Sequence, residues 1–160
     1  MNVFEKEINK SLAKFGDTYS NFFYFRLFDT KSFRLLSENI FAIRQPSDFV
    51  AVFKSRIYFL ELKSSHSPVS FSYRYIRTHQ LESLLKAEKA GAKSYFVIND
   101  RSKVRHFKAY AIRPSVLASE MALATRKSIT WERLKELSME IPRTKNQLWS
   151  LDRLLDIYHM

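Results

Sequence analysis

Cysteine is absent from this chain of 160 residues, and glycine occurs only at Gly16 and Gly91. Without cysteine there can be no disulfide scaffold, no Cys-ligated zinc site and no catalytic thiol. Two isolated glycines also exclude a GxGxxG dinucleotide loop, a Walker A loop and a GxSxG nucleophile elbow, because each needs at least two closely spaced glycines. The sequence therefore excludes nucleotide-driven enzymes and serine hydrolases of these types.

Acidic residues are scarce as well, since Lys and Arg total 27 and Asp and Glu only 16, for a net charge of +11. No apolar run approaches the ~20 residues of a membrane span, and the charged N-terminus is unlike a signal peptide. Hydrophobic residues make up 46 % of the chain, enough for a core. We expect a cytoplasmic protein, with no membrane contact, that binds a polyanion, most often nucleic acid. Purely electrostatic binding of the ribosomal kind explains the charge equally well.

The apolar patterns predict an α/β fold in a single domain, with a core over about 1–113 and a helical C-terminal segment over about 114–160. The expected helices cover 3–15, 78–91, 131–137 and 148–158. Gly16 should end the first of them, Thr78 should cap the second, and Gly91 should end that second helix. The expected strands cover 21–28, 49–53, 57–62, 93–98 and 104–112, with irregular chain over 29–45 and a loop over 64–72. Strand, helix and strand in the order Leu60, Leu84, Phe96 indicate a mixed sheet with a crossover helix.

One predicted hairpin carries the residues of most chemical interest. Phe49–Phe53 and Ile57–Leu62 are apolar runs separated by a short polar turn, which predicts two antiparallel strands. Asp48 precedes the first strand, while Glu61 and Lys63 close the second and share one face, because alternate residues of a strand point the same way. Hairpin pairing should bring Asp48 beside them.

Two carboxylates and an ammonium at a sheet edge suit metal-assisted hydrolysis of phosphodiesters. Mg²⁺ prefers oxygen ligands and often binds through one or two carboxylates while keeping several waters. A bound ion can polarise a phosphate and activate water, and Lys63 can offset the charge of the transition state. The alternative is an ordinary ion pair between Glu61 and Lys63, with Asp48 an unrelated turn residue. The hairpin and the basic chain favour catalysis.

These residues also carry a family resemblance. Pro46-Ser47-Asp48 followed by Glu61-Leu62-Lys63 resembles the PD-(D/E)xK nuclease motif. Within that superfamily the chain resembles the RecU-type Holliday junction resolvases and, less closely, the archaeal resolvases. Further similar segments are Phe4-Glu5, Ser70-Phe71, His79–Glu82, Phe96–Ile98 and Arg126–Ile129. The resemblance implies a restriction-endonuclease-like core, with a central mixed sheet flanked by helices, that cuts branched four-way DNA with Mg²⁺ or Mn²⁺, usually as a homodimer.

The resemblance also implies roles for single residues. Asp48 and Glu61 would bind the metal, and Lys63 would assist the nucleophile. Glu5 would join from the first helix as a further acidic ligand or base, and Gln80 would orient water or phosphate. Two alternatives remain open at this point. Glu7 is close to Glu5, and either acid could be a solvated residue of the first helical turn that merely complements the helix dipole. Gln80 could equally be a surface amide.

Basic residues flank the proposed site in the sequence and predict a DNA-binding surface. Those selected are Arg56, Arg74, Arg77, Lys103, Arg105 and Lys127. Phosphate contacts from such residues supply affinity without sequence readout. Tyr73 and Tyr75 could stack on exposed bases, or else pack on the core beside arginines that are merely solvated.

One departure from the RecU pattern concerns the substrate. Proteins of that type carry a stalk before the motif aspartate that engages the junction centre, and the corresponding stretch here, about residues 29–45, is shorter. Two other hypotheses therefore stay open. One is a PD-(D/E)xK nuclease that acts on other DNA, such as a restriction-like or phage repair enzyme. The other is a DNA-binding module without catalysis, whose carboxylates are structural.

Overall fold

The computed structural model describes residues 1–27, 45–104, 107–146 and 148–157. Its helices are α1 (Val3–Thr18), α2 (Thr78–Lys89), α3 (Pro114–Leu123) and α4 (Trp131–Leu137). Its strands are β1 (Phe22–Arg26), β2 (Phe49–Phe53), β3 (Arg56–Ser65), β4 (Ser70–Ser72), β5 (Lys93–Asp100), β6 (Lys108–Ile112), β7 (Ser128–Thr130) and β8 (Met139–Ile141). Arg105, Tyr158 and nearly all of the predicted irregular stretch over 29–45 lie outside the described residues.

Six of these strands form one central sheet in the order β1-β2-β3-β5-β6-β8. Only β3 and β5 run parallel among its described pairs, and the other neighbours are antiparallel. Strands β4 and β7 form a separate two-stranded sheet. The prediction of an α/β fold with a central mixed sheet flanked by helices is confirmed.

The predicted hairpin is formed by β2 and β3, with Phe49 opposite Leu60 and Phe53 opposite Arg56. Its turn residues Lys54 and Ser55 both have positive φ angles, of 48° and 60°. Such angles match the tight two-residue turns whose twist fits antiparallel strands. Strand β3 extends beyond the predicted end at Leu62 to Ser65, because its second half pairs with β5.

Helix α2 makes the crossover that parallel strands require, and it ends as predicted. Gly91 follows it with a φ angle of 96°, a conformation that glycine adopts without strain. The prediction that Thr78 caps this helix is wrong, because Arg77 occupies the cap position and Thr78 is the first helical residue.

Helix α1 packs a stripe of Phe4, Ile8, Leu12 and Phe15 against the sheet. It continues past its predicted end at Gly16 to Thr18, since the amide of Tyr19 still bonds to the Phe15 carbonyl. A glycine near a helix end is therefore not always its last residue.

The C-terminal segment differs most from its prediction. The strands β7 and β8 interrupt the expected run of helices, although α4 matches its predicted bounds. The helix predicted over 148–158 is wrong within the described residues, where the chain forms a bridge at Trp149 and then turns. Asp156 has a φ of 52°, which no α-helix accommodates. The leucine spacing that suggested a helix reflects burial of Leu151, Leu154 and Leu155 in the core.

The two faces of the sheet are covered unequally. Helix α1 and the C-terminal turns cover one face, while α2, α3 and α4 cover the second face mainly over β5 and β6. Over β1 and β2 no helix or strand of the described residues covers this second face, where Phe23 is 64 %, Phe25 47 % and Ile57 48 % exposed. By strand alternation, the same face of β3 carries Glu61 and Lys63. None of the described helices is long and apolar enough to cross a membrane.

Candidate active site

Asp48 lies where β2 begins and joins this strand end to β3. Its amide donates to the Leu60 carbonyl at 3.0 Å, and its carboxylate Oδ2 accepts from the Leu62 amide at 2.7 Å. The ladder thus continues one residue beyond Phe49 and sets Asp48 opposite Glu61. The structure brings together the two carboxylates that the hairpin pattern placed side by side.

Glu61, Lys63 and Gln80 form a closed set of hydrogen bonds. The Lys63 ammonium donates to Glu61 Oε1 at 2.8 Å and to Gln80 Oε1 at 2.9 Å. The Gln80 amide nitrogen donates to the same oxygen of Glu61. Gln80 comes from the first turn of α2, so the crossover helix supplies this group to the strand residues. Gln80 is therefore not a surface amide, because its amide oxygen accepts from Lys63 and its amide nitrogen donates to Glu61.

Burial makes both carboxylates unusually basic. It raises the pKa of the Glu61 carboxyl from 4.5 to about 7, and the negative charge of Asp48 acts in the same direction. Burial likewise raises the pKa of Asp48, against the opposing effect of the Leu62 amide. Lys63 lowers the pKa of both groups without cancelling these effects. Two acids held this close favour a cation between them.

Glu5 and Glu7 occupy different surroundings on α1. Glu5 is bonded to Arg26 of β1 at 3.3 Å, and its charge raises the pKa of Asp48. Glu7 accepts from Arg101 at 2.8 Å, from Arg143 at 3.4 Å and from the Trp149 indole at 3.1 Å. Of these two acids, Glu5 is the one that faces the site, and Glu7 ties α1 to other elements.

The donor set fits a hard divalent cation held partly by water. No group of three or more His, Asp or Glu side chains in the described ranges is arranged to hold a metal ion by itself. Asp48 and Glu61 nevertheless supply two adjacent carboxylates, and Mg²⁺ commonly needs no more than that from the protein. Burial and the repulsion between these carboxyls raise the pKa of each, and a bound cation would offset both effects.

Four of the predicted DNA-binding residues lie at the site end of the sheet. Arg77 caps α2 and lowers the pKa of Glu61, while Lys103 is exposed after β5, whose end lies beside that of β3. Arg74 is exposed in the turn after β4, and Lys127 precedes β7, with its carbonyl accepting from the Tyr73 amide. Arg105 lies outside the described residues.

Arg56 is not brought to the site. It starts β3 at the opposite end of the strand and forms an ion pair with Asp156 at 3.1 Å. Seven residues of strand separate it from Lys63, a distance of roughly 23 Å at 3.3 Å per residue.

The two tyrosines predicted to stack on bases differ. Tyr75 is 40 % exposed, with the Arg74 guanidinium over its ring at 5.0 Å and bonded to its hydroxyl at 2.9 Å. Tyr73 is partly buried and packs against the core cluster that includes Leu84 of α2 and Leu134 of α4. Tyr75 is therefore available for stacking and Tyr73 is structural.

The sequence reasoning missed Arg26. Its signal was a single basic residue at the end of an aromatic strand, Phe22–Arg26, and that position lies next to the start of β2. Asn2 was missed too. It caps α1 and donates to Glu5 Oε1 at 2.8 Å, a role that an Asn three residues before a Glu can indicate.

Comparison with known proteins gives one match along nearly the whole chain. The family model described as RecU, Recombination protein U, matches residues 2–156. Among solved structures, the chain is similar to Hjc, a Holliday junction resolvase from the archaeal hyperthermophile Archaeoglobus fulgidus. The identity is 16 % and the TM-score 0.49, over 84 % of this chain and 94 % of that one. No curated protein matches the chain.

Proposed function

Because this chain belongs to the Recombination protein U family, we propose that Asp48, Glu61 and Lys63 form the active site of an Mg²⁺-dependent endonuclease that cuts four-way DNA junctions. The observation that carries this proposal is the bond from the Leu62 amide to Asp48, which holds the partly buried Asp48 carboxylate beside the buried one of Glu61. Family membership confirms the resemblance seen in the sequence. It also makes the chain a junction-cleaving nuclease of DNA recombination, whose relatives need divalent metal ions.

Asp48 and Glu61 are the residues that would hold the metal. When bound there, the ion would polarise the scissile phosphate and lower the pKa of an attacking water. Supporting this assignment, the Glu61 carboxyl is 3 % exposed and has Asp48 beside it, so its ionised form needs more positive charge than Lys63 provides. Mn²⁺ has the same oxygen preference and is the alternative ion.

Lys63 is the group that meets the developing negative charge. Its ammonium is bonded to Glu61 and Gln80 at once, so its position is fixed before DNA arrives. A fixed cation stabilises a transition state more than a mobile one, because no reorganisation is needed during the reaction. Gln80 acts as the positioning residue for Lys63 and Glu61, and Glu5 stands as a further acid of the site.

The DNA would approach across the exposed basic residues around the site. Arg74, Arg77, Lys103 and Lys127 are exposed, and Arg77 acts on Glu61 directly, so this set would offset the repulsion between the acids and phosphates. Tyr75 beside Arg74 offers a flat face to unpaired bases at a branch. We propose that the protein meets this substrate in the cytoplasm, the location expected from the sequence.

The active unit is proposed to be a homodimer, in which two sites cut two strands. Support comes from the bare half of the sheet, where Phe23, Phe25 and Ile57 form an exposed apolar face next to the site. Replacing Phe23 and Phe25 by serine should convert the dimer to monomer in sedimentation velocity. A wild-type chain that sediments as a monomer at tens of micromolar would contradict this part of the proposal.

Asp48→Asn tests the site directly. We expect cleavage of a four-way junction in Mg²⁺ to fall by at least about 100-fold, because the amide cannot replace the carboxylate as a metal ligand. Junction binding measured in Ca²⁺ should stay within about twofold. The control is Asp17→Asn, which removes an exposed acid at the end of α1. Undiminished cutting by the Asp48 variant would reject the site, and equal cutting of flaps or linear duplex would reject the junction preference.

Gln80→Ala tests the positioning role. We expect kcat to fall by about 10- to 100-fold, because Lys63 and Glu61 lose the amide that holds them. The apparent DNA affinity should not change, since the amide faces the carboxylates. Glu82→Ala, two residues further along α2 and exposed, is the matched control. An unchanged kcat would show that the amide is not needed.

A further inference from the structure

We infer that Arg26 is an internal counter-ion of the carboxylate cluster, which weakens the binding of a divalent cation and holds the acids together when no cation is bound. This inference rests on the proposed function, since it takes Asp48 and Glu61 as the residues that hold the metal. Arg26 belongs to β1 and reaches the site from the α1 side of the sheet, opposite Lys63.

The first argument is how Glu5 is held. Asn2 accepts from the Glu5 amide at 2.9 Å and donates to Glu5 Oε1 at 2.8 Å. The other carboxylate oxygen accepts from Arg26 Nη2 at 3.3 Å. Each oxygen of Glu5 therefore already has a donor from the chain. In this arrangement Glu5 serves Arg26 as an anchor and is not presented as a ready metal ligand.

The second argument is the position of Arg26 beside Asp48. Arg26 pairs with Phe49, and the amide of the next residue, Leu27, donates to the Asp48 carbonyl at 2.9 Å. The charges of Glu5 and Arg26 both act on the Asp48 carboxyl, the acid raising its pKa and the guanidinium lowering it. Arg26 thus connects Glu5 electrostatically to the pair of carboxylates.

The third argument is the charge balance at close range. Among the described residues, the three carboxylates of Glu5, Asp48 and Glu61 have two cations ion-paired with them. Arg26 pairs with Glu5 and Lys63 with Glu61, which leaves one negative charge in excess within this set. Neutralising Arg26 would double that excess. A divalent ion would then be attracted more strongly, on the order of tenfold in affinity for partly screened charges a few ångströms apart.

Calorimetric titration of the DNA-free protein with Mn²⁺ tests the inference without using activity. Arg26→Gln should bind Mn²⁺ about tenfold more tightly than the wild type and unfold at a lower temperature in EDTA. Arg26→Lys keeps the charge and should bind like the wild type. Affinity that is unchanged or weaker in Arg26→Gln would overturn the inference, because a merely structural or phosphate-binding arginine gives that result.

Arg113→Gln is the matched control. It also removes one positive charge from an Arg–Glu pair, that with Glu88 at the other end of α2. Glu88 lies eight residues from Gln80, roughly 12 Å along the helix. We expect its Mn²⁺ affinity to equal that of the wild type. A tenfold gain in this variant too would assign the effect to net charge and overturn the role of Arg26.

The double variant Glu5→Gln with Arg26→Gln keeps the test decisive if Arg26→Gln fails to fold. It removes one charge of each sign, so the net charge of the cluster is that of the wild type. We expect Mn²⁺ affinity within about twofold of the wild type, whereas a tenfold loss would show that Glu5 is itself a ligand and overturn the inference.

Asp48→Asn separates the two proposals. If it binds Mn²⁺ normally, the proposed metal site fails. If it loses binding while Arg26→Gln gains none, only the counter-ion role fails.

Discussion

The surroundings of Glu61 disfavour the ionised form of its carboxyl group. It is buried, it has Asp48 as a neighbour, and its ionised form is held by Lys63 and Gln80. Such a group weakens the metal-free fold whenever it is ionised, because burial penalises the charged form more than the two donors stabilise it. At the scale of the residue, the ionised carboxylates of the site therefore lower the stability of the fold, and a bound cation would restore that stability.

The pH dependence of stability in EDTA should show this cost. The pKa of Glu61 is raised in the fold, so between pH 4.5 and about 7 the folded protein binds a proton more tightly than the unfolded chain. The free energy of unfolding should therefore fall as the pH rises through this window, by up to about 3 kcal/mol, and stay low above it. Glu61→Gln should remove most of this decline, as measured by urea unfolding at pH 5 and pH 8.

Asp17→Asn is the control for that measurement and should keep the wild-type decline, because Asp17 is exposed. Saturating Mg²⁺ at pH 8 should stabilise the wild type but not the Glu61 variant, since the proposed site needs both carboxylates to hold the ion. Identical pH curves for wild type and Glu61→Gln would contradict the expectation.

At the scale of secondary-structure elements, Glu7 joins three parts of the chain. Its carboxylate connects α1 to Arg101 after β5 and to Arg143 and Trp149 of the C-terminal segment. Arg101 and Arg143 also lie over the Phe107 ring, at 4.5 Å and 5.4 Å. The contacts of Glu7 hold α1 in place, and the first turn of α1 carries Glu5. The role of Glu7 in the site is therefore indirect.

Glu7→Gln should destabilise the protein by about 2 to 4 kcal/mol in urea unfolding, because it leaves the largely buried Arg101 without its carboxylate. Glu120→Gln breaks the exposed pair between α3 and Arg133 of α4, and we expect it to cost less than about 1 kcal/mol. Equal effects of the two substitutions would show that the Glu7 contacts do not join these elements.

The same scale shows what the sequence could and could not predict. Hairpin register depends on local alternation and a short turn, so the position of Asp48 beside Glu61 could be inferred from the printed residues. The contact of Gln80 with Lys63 depends on how α2 crosses the sheet, which no local pattern states. Strands of three residues such as β7 are too short to show periodicity. The error over 148–158 arose because buried leucines in turns can have helical spacing.

At the scale of the whole molecule, the basic side chains differ in whether they are free to contact DNA. Some basic side chains are ion-paired far from the site, as Arg56 is with Asp156. Others, such as Arg74 and Lys127, are exposed at the site end of the sheet. Only the second group is expected to release counterions when DNA binds. The net charge of +11 therefore overstates the number of phosphate contacts.

The salt dependence of junction binding measures the number of phosphate contacts. In Ca²⁺, each of Arg74→Gln, Arg77→Gln and Lys127→Gln should lower the slope of log affinity against log salt by about 1, because each would remove one of the proposed phosphate contacts. The measurement is fluorescence anisotropy of a labelled four-way junction across a KCl series. Arg113→Gln, paired with Glu88 away from the site, should leave the slope unchanged. A common reduction in all four variants would indicate only a loss of net charge.

The bond from the Leu62 amide to Asp48 gives the protein a built-in spectroscopic reporter. The chemical shift of an amide proton follows the charge of its acceptor, so this single NMR resonance should move when a cation neutralises Asp48. Its exchange with solvent deuterium should also be slow, although Leu62 lies beyond the last β2–β3 pair, Phe49 with Leu60, where no backbone partner on β2 protects its amide. Occupancy of the site can thus be read in the intact protein with no DNA, no product and no label.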